Sequence, residues 1–83
     1  MEVLYFGRVR ARIGLHRETI APPAEVGDVD ALLDWLRARG APYDGALEDR
    51  AAIRVAVNQE LCGFDTPVGG DDEVALFPPM TGG

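Results

Sequence analysis

The last six residues, Pro78-Pro79-Met80-Thr81-Gly82-Gly83, are the part of this chain best suited to chemistry. They follow directly on an apolar stretch, Glu73–Phe77. Two prolines cannot continue a strand ladder and hold the backbone extended. Two glycines then present main chain without side chains. A tail of this kind reaches roughly 15–20 Å when extended, and it is slim enough to enter a narrow site in another protein. Its terminal carboxylate can be attacked or activated there without steric hindrance. A carboxylate is a poor acyl donor at neutral pH, so the use requires an activating enzyme, most simply one that uses ATP to make an acyl-adenylate. The protein is then a carrier whose own C-terminus is the working group. Gly-Gly alone reads more readily as a frayed end; the prolines directly after an apolar strand turn the reading toward the carrier.

The remaining reactive residues carry weaker signals. Cys62 is the single cysteine, and as a nucleophile or sulfur shuttle it needs a base or a cationic neighbour. The single histidine, His16, lies far away in sequence in a loop segment. Cys62 is therefore read as a small packed residue and His16 as a surface residue. No second histidine or cysteine cluster exists to build a zinc or iron–sulfur site. Asp71-Asp72-Glu73 lacks the ligand alternation of a calcium loop, and Gly69-Gly70 has neither the lysine nor the following helix of a phosphate loop. No serine occurs, so nothing supports a stand-alone hydrolase. Arg8, Arg10 and Arg12 form a basic cluster that either meets an acidic patch on a partner or keeps the surface soluble; the second is the simpler reading.

Composition narrows the field further. Eighty-three residues make one small domain with a thin core, which disfavours a deep, lidded catalytic cleft. A hydrophobic share of 47% is that of a globular chain, and no apolar run approaches a membrane span. The net charge of −6 argues against a nucleic-acid binder and against docking on anionic membranes. A lone cysteine and an N-terminus without signal-peptide character point to the cytosol. All eight basic residues are arginine. The absence of lysine reflects nucleotide-composition bias, or else a side-chain amine is unwelcome; bias is the simpler account.

The elements that position the tail are legible from periodicity. Val3–Phe6 is continuously apolar, as in a central strand covered on both faces. Gly7 breaks it, and Arg8–Ile13 suits one or two helical turns stopped by Gly14. Arg17–Ala21 reads as a short edge strand ended by Pro22-Pro23. Asp28 caps a helix predicted over Val29–Arg39, with Val29, Leu32, Leu33 and Leu36 on one stripe, Trp35 at its margin and Gly40 as the stop. Tyr43–Asp49 holds a short helical turn. Ile53, Val55 and Val57 alternate as in a half-buried strand, Asn58-Gln59-Glu60 turns, and Leu61-Cys62 returns. In the last strand, Glu73–Phe77, Val74 and Leu76 face one way while Ala75 and Phe77 face the other. One main helix over one face of a mixed sheet is the smallest way to bury both stripes. The expected fold is α+β, a ubiquitin-like β-grasp over residues 1–77 with an extended Gly-Gly tail over 78–83.

Three stretches carry a family resemblance. They are Gly70-Asp71-Asp72-Glu73-Val74 running through Leu76-Phe77-Pro78-Pro79-Met80-Thr81-Gly82-Gly83, then Val57-Asn58-Gln59-Glu60-Leu61 with Phe64-Asp65-Thr66-Pro67, and the opening Val3-Leu4-Tyr5-Phe6-Gly7-Arg8-Val9-Arg10. Together they resemble the small subunits of molybdopterin synthase over nearly the whole chain. The resemblance implies a sulfur carrier. Its C-terminal glycine is adenylated by an enzyme similar to ubiquitin-activating ones, with ATP used by that enzyme and no cofactor held by the carrier. A sulfur donor then makes a thiocarboxylate. The loaded tail delivers sulfur to cyclic pyranopterin monophosphate in the large subunit, within a 2:2 heterotetramer. By position, Gly83 is the thioglycine and adenylation site, and Pro78, Pro79, Met80, Thr81 and Gly82 are the inserted tail. Phe6, Leu61 and Phe77 match positions that pack on the large subunit. Such a carrier contributes a substrate group rather than catalytic side chains. Cys62 departs from the family, where an aliphatic residue is more usual. Rival readings are a sulfur carrier for thiazole or another thio-compound, a ubiquitin-like modifier joined to target lysines through Gly83, and a plain binding module whose Gly-Gly is incidental.

Overall fold

Asp28 starts the longest helix: its carboxylate accepts a hydrogen bond from the Ala31 amide at 2.8 Å. That bond satisfies one of the amides left unpaired at a helix start. The helix, α2, then runs Val29–Arg37 and buries Val29, Leu32, Leu33 and Leu36, with Trp35 half-buried beside them. A shorter helix, α1 (Gly7–Ile13), precedes it. The computed structural model describes residues 1–79. Within them the other elements are β1 (Glu2–Tyr5), β2 (Arg17–Thr19), α3 (Tyr43–Leu47), a single 3-10 turn over Arg50–Ala52, β3 (Arg54–Val57), β4 (Glu60–Cys62) and β5 (Glu73–Phe77).

The five strands form one sheet in the order β2-β1-β5-β3-β4. β1 and β5 run parallel at its middle, and every other pairing is antiparallel. Val3, Tyr5, Val55, Val74 and Leu76 share the face that meets α2, α1 and α3, whose Val9, Ile13 and Leu47 complete the core. This is the ubiquitin-like α+β layout expected from the patterning. Among the described residues, no helix is long and apolar enough to cross a membrane.

Several boundaries differ from the periodicity reading. α2 ends at Arg37 rather than Arg39, because Arg39 and Gly40 donate to Leu36 and Arg37 as tighter three-residue turns before Gly40 takes φ +90. β2 ends at Thr19, although the Met1 amine and Ile20 amide exchange bonds with the opposite carbonyls and prolong the pairing. The 3-10 turn over Arg50–Ala52 has no periodicity to announce it; Asp49 caps it through the Ala51 amide at 3.0 Å. Arg50 then ties it to α2 by pairing with both Asp30 and Asp34. Asn58 and Gln59 both take positive φ, the geometry of a two-residue hairpin turn between β3 and β4. The largest correction concerns Val3–Phe6. Only Val3 and Tyr5 are buried, so β1 is covered on one face. Leu4 and Phe6 fall on the other.

Glu18 is the polar hub of the helix side. It accepts from Tyr5 Oη at 2.7 Å, Tyr43 Oη at 2.9 Å and Arg39 Nη1 at 3.1 Å. Arg39 also lies over the Tyr43 ring, 4.6 Å from its centroid. Burial, and then the Glu18 carboxylate, push the Tyr5 hydroxyl far above its ordinary value of 10.0, and Tyr43 rises for the same reasons. The neutral phenols therefore belong to the folded state. Their contribution is complete below about pH 10 and declines as pH rises above it, so alkaline unfolding is expected to coincide with tyrosinate absorbance. Glu18→Ala strands the buried Tyr5 hydroxyl and is expected to lower unfolding free energy by about 2 kcal/mol. Urea unfolding checks it.

Candidate functional site

The face of the sheet away from the helices is built by strand parity. Leu4 on β1 pairs with Ala75 on β5, Ala75 with Ala56 on β3, and Ala56 with Leu61 on β4. One apolar row thus crosses four strands, with two alanines low in the middle and leucines standing at either side. Leu61 is 73% exposed. Phe77 shares the parity of Ala75, and Phe6 that of Leu4, so both belong to this face at its upper end. Phe6, Leu61 and Phe77, singled out from the sequence, therefore lie on one surface together with Leu4, Ala56 and Ala75. These last three were legible only in part. The alternation of β5 announced Ala75, but pairing Leu4 and Ala56 into the same row required the register.

Phe6 is held in place. Its amide donates to the Leu76 carbonyl at 3.0 Å, so the backbone stays tied to β5 as it leaves β1. Arg10 reaches back from α1, donating through Nε to the Tyr5 carbonyl at 3.0 Å, with its guanidinium 5.3 Å from the centre of the Phe6 ring. The ring is thereby presented rather than buried, at 38% exposure.

The chain leaves β5 at Phe77 and continues into Pro78 and Pro79, both half-buried. Pro78 packs directly on Gly7. A Cβ at Gly7 would sit 2.8 Å from Pro78 Cγ and 2.9 Å from Cδ, and Gly7 itself takes φ +56. Backbone angle and close approach both call for glycine here. The contact fixes where the tail departs, and it had no signal in the sequence beyond a glycine after a strand. Gly7→Val is expected to destabilise the fold by about 2 kcal/mol, because a branched side chain is strained at positive φ and meets the proline ring. Thermal unfolding checks it. Met80, Thr81, Gly82 and Gly83 lie outside the described residues.

The alternative reactive residues do not assemble. Cys62 pairs with Val55 on the core side of β4, partly buried, with Sγ 3.9 Å from the Val55 carbonyl oxygen. His16 is exposed beside β2, at the opposite edge of the sheet. Asp72 is used structurally: it accepts from Asn58 Nδ2 at 2.9 Å and from the Gly69 amide at 2.7 Å, while Asn58 Oδ1 accepts from the Glu73 amide. The Asn58 bond, and then the Gly69 amide, hold the Asp72 carboxyl below its ordinary range. Among the described residues, no group of three or more histidine, cysteine, aspartate or glutamate side chains is placed to hold a metal.

Comparison with known proteins agrees with this geometry. The model of the ThiS family matches residues 3–83. The molybdopterin synthase sulfur carrier subunit of Escherichia coli is 41% identical over 83 residues, covering 100% of this chain and 99% of the relative. Among solved structures, SAMP1 from Haloferax volcanii superposes with a TM-score of 0.70 at 28% identity, covering 99% of this chain and 97% of that one. A complex of subunits 1 and 2 of the molybdopterin-converting factor from Helicobacter pylori contains a chain that superposes with a TM-score of 0.62 at 26% identity, covering 99% and 96%. Full-length coverage and the shared sheet leave one conclusion: this chain belongs to the ThiS family and to the sulfur carrier subunits of molybdopterin synthase.

Proposed function

We propose that this protein carries sulfur on Gly83 for formation of the molybdopterin dithiolene. An activating enzyme adenylates the Gly83 carboxylate with ATP. A sulfur donor displaces AMP, leaving a thiocarboxylate. The loaded tail, Pro78 through Gly83, enters the large subunit and gives up its sulfur to cyclic pyranopterin monophosphate; two such deliveries supply both dithiolene sulfurs. The carrier docks through Phe6, Leu61 and Phe77, two copies on two large subunits, in the cytosol. General base, covalent nucleophile and pterin-phosphate site belong to the large subunit.

The observation that carries this reading is continuity. The last strand residue on the open apolar face is Phe77, and the next residue begins the tail, aimed by the Gly7–Pro78 contact. A partner that covers the face therefore receives the tail. The Helicobacter pylori neighbour, found in a complex of subunits 1 and 2, supports a large-subunit partner. Mixing carrier of confirmed thiocarboxylate content with large subunit and precursor is expected to yield molybdopterin; no product would overturn the assignment. A second reading, a modifier joined to other proteins through Gly83, is favoured by similarity to small archaeal modifier protein 1 of H. volcanii, with a TM-score of 0.58 at 28% identity. Isopeptide conjugates in cells would select it.

A further inference from the structure

Two opposite charges stand on the open face of the sheet, one at each end of it. Glu73 shares the strand parity of Ala75 and Phe77, and Arg54 that of Ala56, so both belong to the side away from the helices. Among the described residues neither forms an ion pair, and Arg54 Nη1 donates to the adjacent Ile53 carbonyl at 3.0 Å. The other two charges of this face, Glu2 and Arg17, already close on each other at 3.0 Å. The register fixes the separation of the open pair. Arg54 is level with Phe77, two residues past Ala75 along β5, and Glu73 lies two residues before Ala75. At about 3.3 Å per residue the two levels are ~13 Å apart, too far to meet within one molecule. The apolar row of Leu4, Ala75, Ala56 and Leu61 crosses the sheet midway between them. Rotation by a half turn about that row lays a second copy face down with its strands antiparallel to the first. The Glu73 end of each copy then covers the Arg54 end of the other, on neighbouring strands. A half turn about the strand direction brings like ends together instead, so charge selects the first arrangement.

We infer that this chain, when no other protein covers its open face, pairs through that face with a second copy of itself, joined by two symmetric Glu73–Arg54 bridges. The inference needs no sulfur chemistry and stands apart from the carrier reading. An isologous interface requires a patch that complements itself under a half turn, and this face meets the requirement in both its parts. The apolar row lies on the axis, so leucine meets leucine at either side, and the low alanines leave room at the centre for the Phe77 rings. The charges lie off the axis at opposite ends, so each finds its opposite. Exposed Leu61 and Phe6 supply apolar surface that gains from being covered. Size sets the strength. Four strands about 4.8 Å apart and five residues long make a plan area of roughly 300 Å² per copy. A standard stable interface buries about 800 Å² per partner. The pairing is therefore weak and exchanging, with a dissociation constant of about 100 µM. Antiparallel strands across the interface send the two tails out at opposite ends, clear of it.

The test is sedimentation equilibrium of the full-length chain from about 10 µM to about 1 mM, a range that brackets the expected constant. Wild type is expected to pass from monomer to dimer across it. Arg54→Glu and Glu73→Arg, each alone, set like charges against each other at both bridges and are expected to weaken pairing about tenfold or more. An equimolar mixture of the two variants restores both bridges, and is expected to pair about as tightly as wild type. Circular dichroism and thermal unfolding establish that each variant is folded. Should either not fold, Arg54→Gln and Glu73→Gln are each expected to weaken pairing about threefold. Wild type that stays monomeric at 1 mM would overturn the pairing, and if it then still binds the large subunit, the face belongs to that partner alone. Variants that pair as wild type does, or a mixture that pairs no better than its components, would overturn the two-fold arrangement.

Discussion

Deleting Gly83, or adding one residue after it, is expected to abolish sulfur transfer while the domain stays folded. Both changes move the reacting carbonyl by a residue's length relative to the point where Pro78 is fixed on Gly7. Displacement of a reacting group by about 1 Å can already cost a hundredfold in rate, and a residue adds more than 3 Å. The loss should therefore be at least about a hundredfold. Stability should hold within about 0.5 kcal/mol, as for surface changes remote from a core. The core itself is complete within residues Val3 to Leu76. Single-turnover formation of molybdopterin and thermal unfolding, measured on the same preparations, separate the two effects. A carrier that tolerates either change would be a binding module with an incidental tail.

Leu61→Asp is expected to have the second largest effect, on partner binding rather than on folding. Leu61 stands at one side of the apolar row that crosses the sheet and is 73% exposed, so its hydrocarbon supports little of the core. Burying an exposed leucine side chain under a partner contributes about 2 kcal/mol, and a buried unpaired carboxylate in its place costs further. Affinity for the large subunit should fall by about thirtyfold or more. Titration calorimetry checks it. Binding unchanged by Leu61→Asp would place the docking surface elsewhere than this face.

The parts of the fold set by local patterns were legible in the chain. The stripe of Val29, Leu32, Leu33 and Leu36 announced α2, and Asp28 its start, because spacing and capping are decided within one turn. Val74 and Leu76 against Ala75 and Phe77 announced both faces of β5, so Phe77 was already on the outward side. What escaped reading depended on distant neighbours. Val3–Phe6 looked like a strand buried on both sides because Leu4 and Phe6 are apolar. They are apolar although exposed or half-buried, as suits a face that another protein covers. Gly7 reads as a simple strand breaker until Pro78 is seen against it.

The central claim is that the reactive sulfur is held on Gly83. The most direct measurement is fragment-resolved mass spectrometry of intact carrier purified from its own host lacking the large subunit, where loaded carrier has nowhere to discharge. Exchange of one oxygen for sulfur, localised to Gly83, is the predicted result. A carrier that remains wholly a carboxylate in that host, with its activating enzyme and sulfur donor present, would contradict the account.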